Sequence, residues 1–167
     1  MLHISGVNYE SFTDGEGCRC TIFVSGCLHG CPGCQNPGTW SFNAGEPVTQ
    51  DLIDKINTEI DKRPFLSGVT ISGGDPIYSF SEVCNMIDKL HVPHNNIWMY
   101  TGFSWEELMR AFKDQHIKML RKFDVVVDGP YAKALRDTTL QFRGSKNQRI
   151  IDVKKSLDQN DIVLYNP

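Results

Sequence analysis

Along the 167 residues, β-branched and aromatic residues gather into short runs separated by polar turns. The runs Thr21 to Val24, Val69 to Ser72, Asn96 to Thr101, Asp124 to Asp128, Arg149 to Val153 and Asp161 to Tyr165 predict strands. Several of the gaps carry a helical period. From Asp51 to Lys62, the apolar residues Leu52, Ile53, Ile56 and Ile60 share one helical face behind a Thr49 cap. Ser79 stands three residues before Glu82, and Ser104 three before Glu107, the spacing of a capping box. Each opens an apolar stripe: Val83, Met86, Ile87 and Leu90 after the first, Leu108, Met109 and Phe112 after the second. Strands alternating with helices predict parallel βαβ units, whose ligands sit beyond the carboxyl ends of the strands. Chemistry is therefore expected in the strand-to-helix loops.

No repeat and no Pro/Gly/Ser-rich linker interrupts this pattern, so residues 1–167 are read as one domain. A chain of this size hides about 68 to 70 % of its unfolded surface on folding. Disulfides are not needed to hold it, and the six cysteines require another explanation. Seventeen Lys and Arg against twenty Asp and Glu give a net charge of -3, and no basic run exceeds two residues. Nucleic acid is therefore not expected as a partner, since phosphate binding rests on clustered positive charge. The longest aliphatic run, Val125 to Val127, is far short of the ~20 apolar residues that span a bilayer, so no membrane segment is expected. Met1 to Ser11 lacks the basic start and apolar stretch of a signal peptide. A reducing cytoplasmic setting is expected, where cysteines usually serve metals or catalysis.

The first predicted strand leads into Ser25-Gly26-Cys27-Leu28-His29-Gly30-Cys31-Pro32-Gly33-Cys34. Its glycines supply the backbone freedom to wrap three thiols around one object. Thiolates are soft ligands suited to zinc, Cu(I) or iron-sulfur clusters. A four-iron cluster ordinarily takes four cysteines, so three from one loop leave one iron open to a substrate. Two other readings use the same residues. Cys31-Pro32-Gly33-Cys34 has the spacing of a thioredoxin-like dithiol, but that motif expects no third cysteine four residues upstream. Zinc held by Cys27, Cys31, Cys34 and His29 is chemically reasonable, although ligands this close in one loop would be strained around a tetrahedral ion. Cys18 and Cys20 stand too close together to wrap a metal comfortably, and with Cys84 they are read as ordinary core or surface thiols.

A second loop, Gly73-Gly74-Asp75-Pro76, follows Val69-Thr70-Ile71-Ser72. Two glycines at a strand end leave main-chain groups bare to a ligand. Adjacent parallel strands would bring this loop to the face that carries the cysteines. Cysteines spaced three and two apart, followed by Gly-Gly-Asp-Pro, resemble the radical S-adenosylmethionine (SAM) enzymes. The resemblance is closer still to the activating proteins of anaerobic ribonucleotide reductase. It runs through Gly15 to Thr21, Phe23 to Cys27, Cys31 to Cys34, Ser72 to Pro76, Ile97 to Gly102, Val127 to Gly129 and Phe142 to Gln148, most of the chain. Two positions depart from the pattern. Gly33 stands where the superfamily often has an aromatic residue, and Gln35 where relatives commonly have tyrosine, so side-chain stacking on adenine is not expected from either.

The resemblance implies an open partial (βα) barrel of five or six mainly parallel strands, since 167 residues are too few for the eight-fold barrel of about 250. It implies a 4Fe-4S cluster on Cys27, Cys31 and Cys34, with SAM on the free iron. Reductive cleavage of SAM would give methionine and a 5′-deoxyadenosyl radical, which takes a hydrogen from a glycine of the reductase. A flavodoxin-like protein is the implied electron donor. Gly73, Gly74 and Asp75 are expected to line the methionine end of SAM, and Gly33 and Gln35 to touch it through the main chain. Thr101 and Gly102 are placed at the ribose, although Thr101 is equally a buried strand residue. Asp128 either bonds SAM or caps its turn. Arg143 clamps a carboxylate, docks the reductase or is simply solvated. His29 is read as a loop residue donating a hydrogen bond to sulfur, not as a ligand. His3, His91, His94 and His116 are read as surface residues, and Trp98 and Tyr100 as buried ones. Two competing functions use the same cysteines: a zinc-stabilised adaptor without activity, and a radical SAM enzyme acting on a small molecule.

Overall fold

A computed structural model describes residues 1–167. Seven strands are present: β1 (His3–Ser11), β2 (Arg19–Val24), β3 (Glu46–Pro47), β4 (Gly68–Gly73), β5 (Ile97–Tyr100), β6 (Val125–Asp128) and β7 (Arg149–Asp152). They form one open sheet in the order β3-β1-β2-β4-β5-β6-β7. The four central strands β2, β4, β5 and β6 run parallel. They are buried almost throughout, as the near-continuous apolar runs of parallel strands require. The edges are antiparallel, with β1 between β2 and β3, and β7 against β6. The expectation of mainly parallel pairing is thus corrected: three of the six pairings are antiparallel. The parallel part is confined to strands linked by crossovers, and the terminal segments return alongside their neighbours.

Five helices join the strands: α1 (Gln50–Asp61), α2 (Phe80–Ile87), α3 (Trp105–Ala111), α4 (Asp114–Leu120) and α5 (Val153–Gln159). In α1 the Thr49 hydroxyl accepts the Leu52 N–H, and Leu52, Ile53, Ile56 and Ile60 turn inward. In α3 the Ser104–Glu107 capping box closes in both directions. Helical faces and strands share one core in which Ile56, Ile71, Val83, Met99 and Val126 are sealed from water. Each such side chain contributes about 1.5–3 kcal/mol. Alternation along β5 sends Ile97 and Met99 into this core and Trp98 to the opposite face, against Val125, Val127 and Ile150, with Tyr100 packed on that second group.

Other expectations are also revised. β1 and β3 were not foreseen. In β1 the partly buried Val7 and Tyr9 alternate with the exposed Gly6, Asn8 and Glu10, the pattern of an edge-side strand with one face to water. The cysteine loop therefore follows the second strand. Residues Asp161 to Tyr165 do not form a strand: they run beside β7 with a single bridge, Leu164 to Ile151, while the Val163 N–H is drawn to the Ser156 hydroxyl. The expected capping box at Ser79 does not form. Pro76 starts a 3-10 turn early, Pro76–Ser79, capped by Asp75, and Glu82 accepts the Leu2 N–H at 2.6 Å instead. No helix is long and apolar enough to cross a membrane.

Candidate functional site

The carboxyl ends of β2, β4 and β5 lie side by side, so the three loops that follow them meet. The meeting is very close. Gly74 donates its N–H to the Val24 carbonyl at 2.7 Å, and Asp75 to the Gly26 carbonyl at 2.8 Å. A Cβ on Gly74 would stand 2.5 Å from that Gly26 oxygen, so only glycine lets the cysteine loop and the Gly-Gly-Asp loop touch. The cysteine loop is held from its other side by Gly26 N–H to Thr39 carbonyl (2.7 Å) and Cys27 N–H to Trp40 carbonyl (3.0 Å).

Asp75 is the knot of this junction. It is 2 % exposed, and its carboxylate accepts His29 Nε2–H at 2.6 Å, the Thr101 hydroxyl at 2.9 and 3.0 Å, the Gly102 N–H at 2.8 Å and the Ile77 N–H at 3.0 Å. A carboxylate buried this deeply keeps its charge only when donors replace water, and here they come from three loops. The hydrogen bond that His29 donates to Asp75 raises the pKa of His29 against the opposing effect of burial. The imidazole is also packed between Phe103 and Tyr78, with ring centroids 4.6 and 5.5 Å away, and it fills the space a Gly102 side chain would need. The imidazole of His29 thus bonds Asp75 and not a sulfur, and it is the His29 backbone that meets the Cys27 thiol. The sulfur of Cys34 accepts a hydrogen bond from the Asn36 N–H, at 3.4 Å.

Above the knot lies a cleft. Cys27, Cys31, Cys34, Gln35, Gly73, Gly74, Asp75, Thr101 and Gly102 all line it, joined by Phe23, Trp40, Tyr100 and Tyr131. All six cysteines are free thiols. The three in the loop are half-buried, while burial pushes Cys20 and Cys84 up to about 12, leaving them inert. Burial also holds the Cys27 thiol above its ordinary value, opposed by a hydrogen bond from the His29 backbone. A coordinated metal would reverse that preference by taking the thiolate. No three His, Cys, Asp or Glu side chains converge on the position of one ion. An iron-sulfur cube takes its cysteines on separate irons, so soft sulfurs spread along one cleft wall are a donor set that fits it.

The remaining predicted residues divide. Gly33 does not line the cleft; it adopts a left-handed conformation at φ +76°, and the ring of Tyr131 lies 3.4 Å from where its Cβ would be. The Thr101 hydroxyl gives its proton to Asp75 and accepts the Phe103 N–H at 3.1 Å, so its capacity is already engaged. Asp128 lies outside the cleft, although Gly129 beside it is in the lining. It is 1 % exposed, caps α3 through the Trp105 N–H at 2.7 Å and pairs with Arg149 at 2.6 Å. Arg149 also holds Glu106 at 2.7 Å, which lowers that carboxyl to about 2. Arg143 stands in an adjoining depression, and His3, His91, His94 and His116 are absent from the lining. Tyr100 and Tyr131 are cleft residues that the sequence reading did not assign. The alternation of Trp98 and Tyr100 against Ile97 and Met99 predicts burial of both; Trp98 is buried, whereas Tyr100 is only partly so and reaches the cleft, and nothing local marked Tyr131.

Residues 13–151 match a family described as a 4Fe-4S single cluster domain. The chain is 39 % identical over 140 residues to the anaerobic ribonucleoside-triphosphate reductase-activating protein of Salmonella typhi, covering 81 % of this chain and 88 % of that one. It is 36 % identical over 152 residues to the protein of the same name from Escherichia coli K12, covering 85 % and 96 %. The corresponding protein of Enterobacteria phage T4 is 36 % identical over 153 residues, covering 86 % and 93 %. The family match spans both the cysteine loop and the Gly-Gly-Asp loop, each of these relatives is covered over nearly its full length, and the chain belongs to the family of anaerobic ribonucleoside-triphosphate reductase-activating proteins.

Proposed function

We propose that this chain activates an anaerobic ribonucleoside-triphosphate reductase, using a 4Fe-4S cluster held by Cys27, Cys31 and Cys34 and a molecule of SAM bound beside it. The observation that carries the reading is that these three cysteines share one cleft with Gly73 and Gly74. Family membership names the partner class, and the cluster-domain match names the kind of metal centre. A reduced cluster held there would supply one electron to SAM, the chemistry needed to release methionine and a 5′-deoxyadenosyl radical able to take a hydrogen atom from a glycine of the reductase.

The chain's own residues bind, orient and shield. Gly73 and Gly74 offer main-chain groups to the ammonium end of SAM. Asp75 sits behind them as a buried negative charge that favours that cation. Its own hydrogen bonds are spent on His29, Thr101, Gly102 and Ile77, so it acts on SAM by its field and by fixing the loops. Gln35 flanks the third cysteine and meets SAM through the main chain, with Gly33 shaping the turn before it. Thr101 and Gly102 border the ribose by their backbone. Asp128 serves at one remove, holding α3 and β7 beside the cleft. Phe23, Trp40, Tyr100 and Tyr131 give the cleft apolar walls, which limit the water available to a reactive radical. A flavodoxin-like donor in the cytoplasm completes the reading.

The test is anaerobic incubation of the reduced protein with SAM and the partner reductase, followed by electron paramagnetic resonance (EPR). A glycine-centred radical on the reductase is the expected result. Colourless protein containing stoichiometric zinc, with no such signal, would overturn the proposal.

A further inference from the structure

The cleft does not end at the cysteines. A second depression of about 530 Å³ opens from it, sharing Asp14, Gln35, Tyr100 and Gly144. That volume falls within the roughly 300–1,000 Å³ of binding pockets. Its outer wall is formed by Phe12, Leu140, Phe142 and Arg143. None of these four has a part in the site described above, and three are in unusual states.

Phe12 is 70 % exposed at the rim. Phe142 adopts a left-handed backbone at φ +59°, which a bulky side chain rarely takes unless its surroundings impose it. The surroundings do impose it. The Tyr100 hydroxyl donates to the Phe142 carbonyl at 2.5 Å, and the Phe142 ring stands edge-on to Trp98 at 5.5 Å. Just beyond, the Gln148 side-chain oxygen accepts the N–H groups of Gly144 and Ser145 at 2.9 and 3.2 Å. Arg143 is the residue between these two anchors. Its Nε is buried with no hydrogen-bond partner, and no carboxylate lies within ion-pairing distance of its guanidinium. The guanidinium is a planar fork of donors held on a strained strap in the lining of the depression, and the chain supplies it with no carboxylate, which suits an acceptor brought from outside.

We propose that this trough receives the target loop of the partner reductase: an extended segment whose glycine reaches into the cleft, whose carboxylate side chain meets Arg143, and whose apolar side chain packs on Phe12 and Leu140. The inference rests on the function proposed above and adds to it where the protein substrate enters. Three features of the trough select a protein segment as its occupant. It is continuous with the cysteine cleft, its rim is apolar, and its cation is unpaired.

The experiment compares the anaerobic holoprotein with its Arg143→Glu and Phe12→Ser variants. Phe12 is exposed and outside the core, so its replacement leaves the fold intact. Two quantities are read for each: the dissociation constant for the reductase, and the 5′-deoxyadenosine formed from SAM with a chemical reductant and no reductase present. Each variant is expected to bind the reductase at least about tenfold more weakly, with partner-free cleavage within about twofold of the parent. Unchanged reductase affinity in both variants would overturn the proposal. So would a rise in the SAM dissociation constant of Arg143→Glu with reductase binding intact, which would assign the arginine to the cofactor. Failure of the parent protein to cleave SAM at all would instead strike the functional reading on which the proposal stands.

Discussion

Asp75 and Asp128 occupy similar places: Asp75 lies just after the parallel strand β4, Asp128 is the last residue of the parallel strand β6, each has a glycine beside it, and each is almost completely buried. Their surroundings give them different work. Asp75 is satisfied by a histidine from the cysteine loop and by donors from the loop after β5, so its charge ties together the three loops of the cleft. Asp128 is satisfied by Arg149 from the antiparallel strand β7 and by the first N–H of α3, so its charge ties the sheet edge to a helix and stays outside the cleft. The difference teaches that a buried carboxylate is defined by its donors. Where they come from the loops of the cleft it organises a site, and where they come from a neighbouring strand and helix it holds the frame.

The sharpest way to break this comparison is a pair of substitutions read for SAM binding. Asp75→Ala is expected to weaken SAM at least about tenfold, because it removes a charge behind the cleft and leaves His29, Thr101 and Gly102 without their acceptor, at about 1–3 kcal/mol for each unmet group. Asp128→Ala is expected to leave SAM affinity within about twofold. Titration of SAM against the reduced cluster, followed by EPR, measures both, and the reverse ranking would end the distinction. Second in size is stability. Asp128→Ala is expected to cost about 2–3 kcal/mol in urea unfolding. That is below the roughly 3–5 kcal/mol of a fully buried broken pair, because the Arg149 side chain is 34 % exposed and keeps Glu106. A smaller effect is expected from His29→Gln, which retains a donor for Asp75: SAM affinity should fall less than about threefold, between the parent and Asp75→Ala.

The smallest effect concerns pH. Glu106 is held at about 2, mainly by its hydrogen bond to Arg149, below its ordinary value of 4.5. A carboxyl with a lowered folded-state value adds stability that is fully present above 4.5 and lost as pH falls toward 2. Its side chain is 56 % exposed, so the contribution is at most about 1 kcal/mol. Thermal unfolding of the parent and of Glu106→Gln should therefore differ slightly near neutrality and converge between pH 4.5 and 2. A constant offset across that range would place the stabilisation elsewhere.

How much of this was legible in the sequence follows from how local each signal is. The Thr49 cap and apolar face of α1, the Ser104–Glu107 box of α3 and the three consecutive valines of strand β6 are written within a few residues, and they hold. The meeting of the cysteine loop with the Gly-Gly-Asp loop needed only two adjacent parallel strands, and it holds as well. What stayed hidden depends on distant pairs. His29 and Asp75 are 46 residues apart, and nothing near either one marks the other. Arg149 was placed on a strand, but the antiparallel direction of that strand, which delivers the guanidinium to Asp128, is a tertiary outcome. The capping box at Ser79 misled because Pro76 begins a helical turn three residues earlier. The helices α4 and α5 are as short as α3, seven residues each, but neither opens with the Ser-x-x-Glu box that marks α3.

The central claim is that Cys27, Cys31 and Cys34 alone hold the cluster and leave one iron for SAM. EPR of the reduced holoprotein, recorded with and without SAM for the parent and for each single cysteine-to-alanine variant, tests it most directly. The account predicts that SAM alters the parent's signal, that Cys18→Ala and Cys84→Ala keep that response, and that Cys27→Ala, Cys31→Ala and Cys34→Ala lose it. A cluster signal indifferent to SAM, or one that vanishes when Cys18 or Cys84 is replaced, would contradict it.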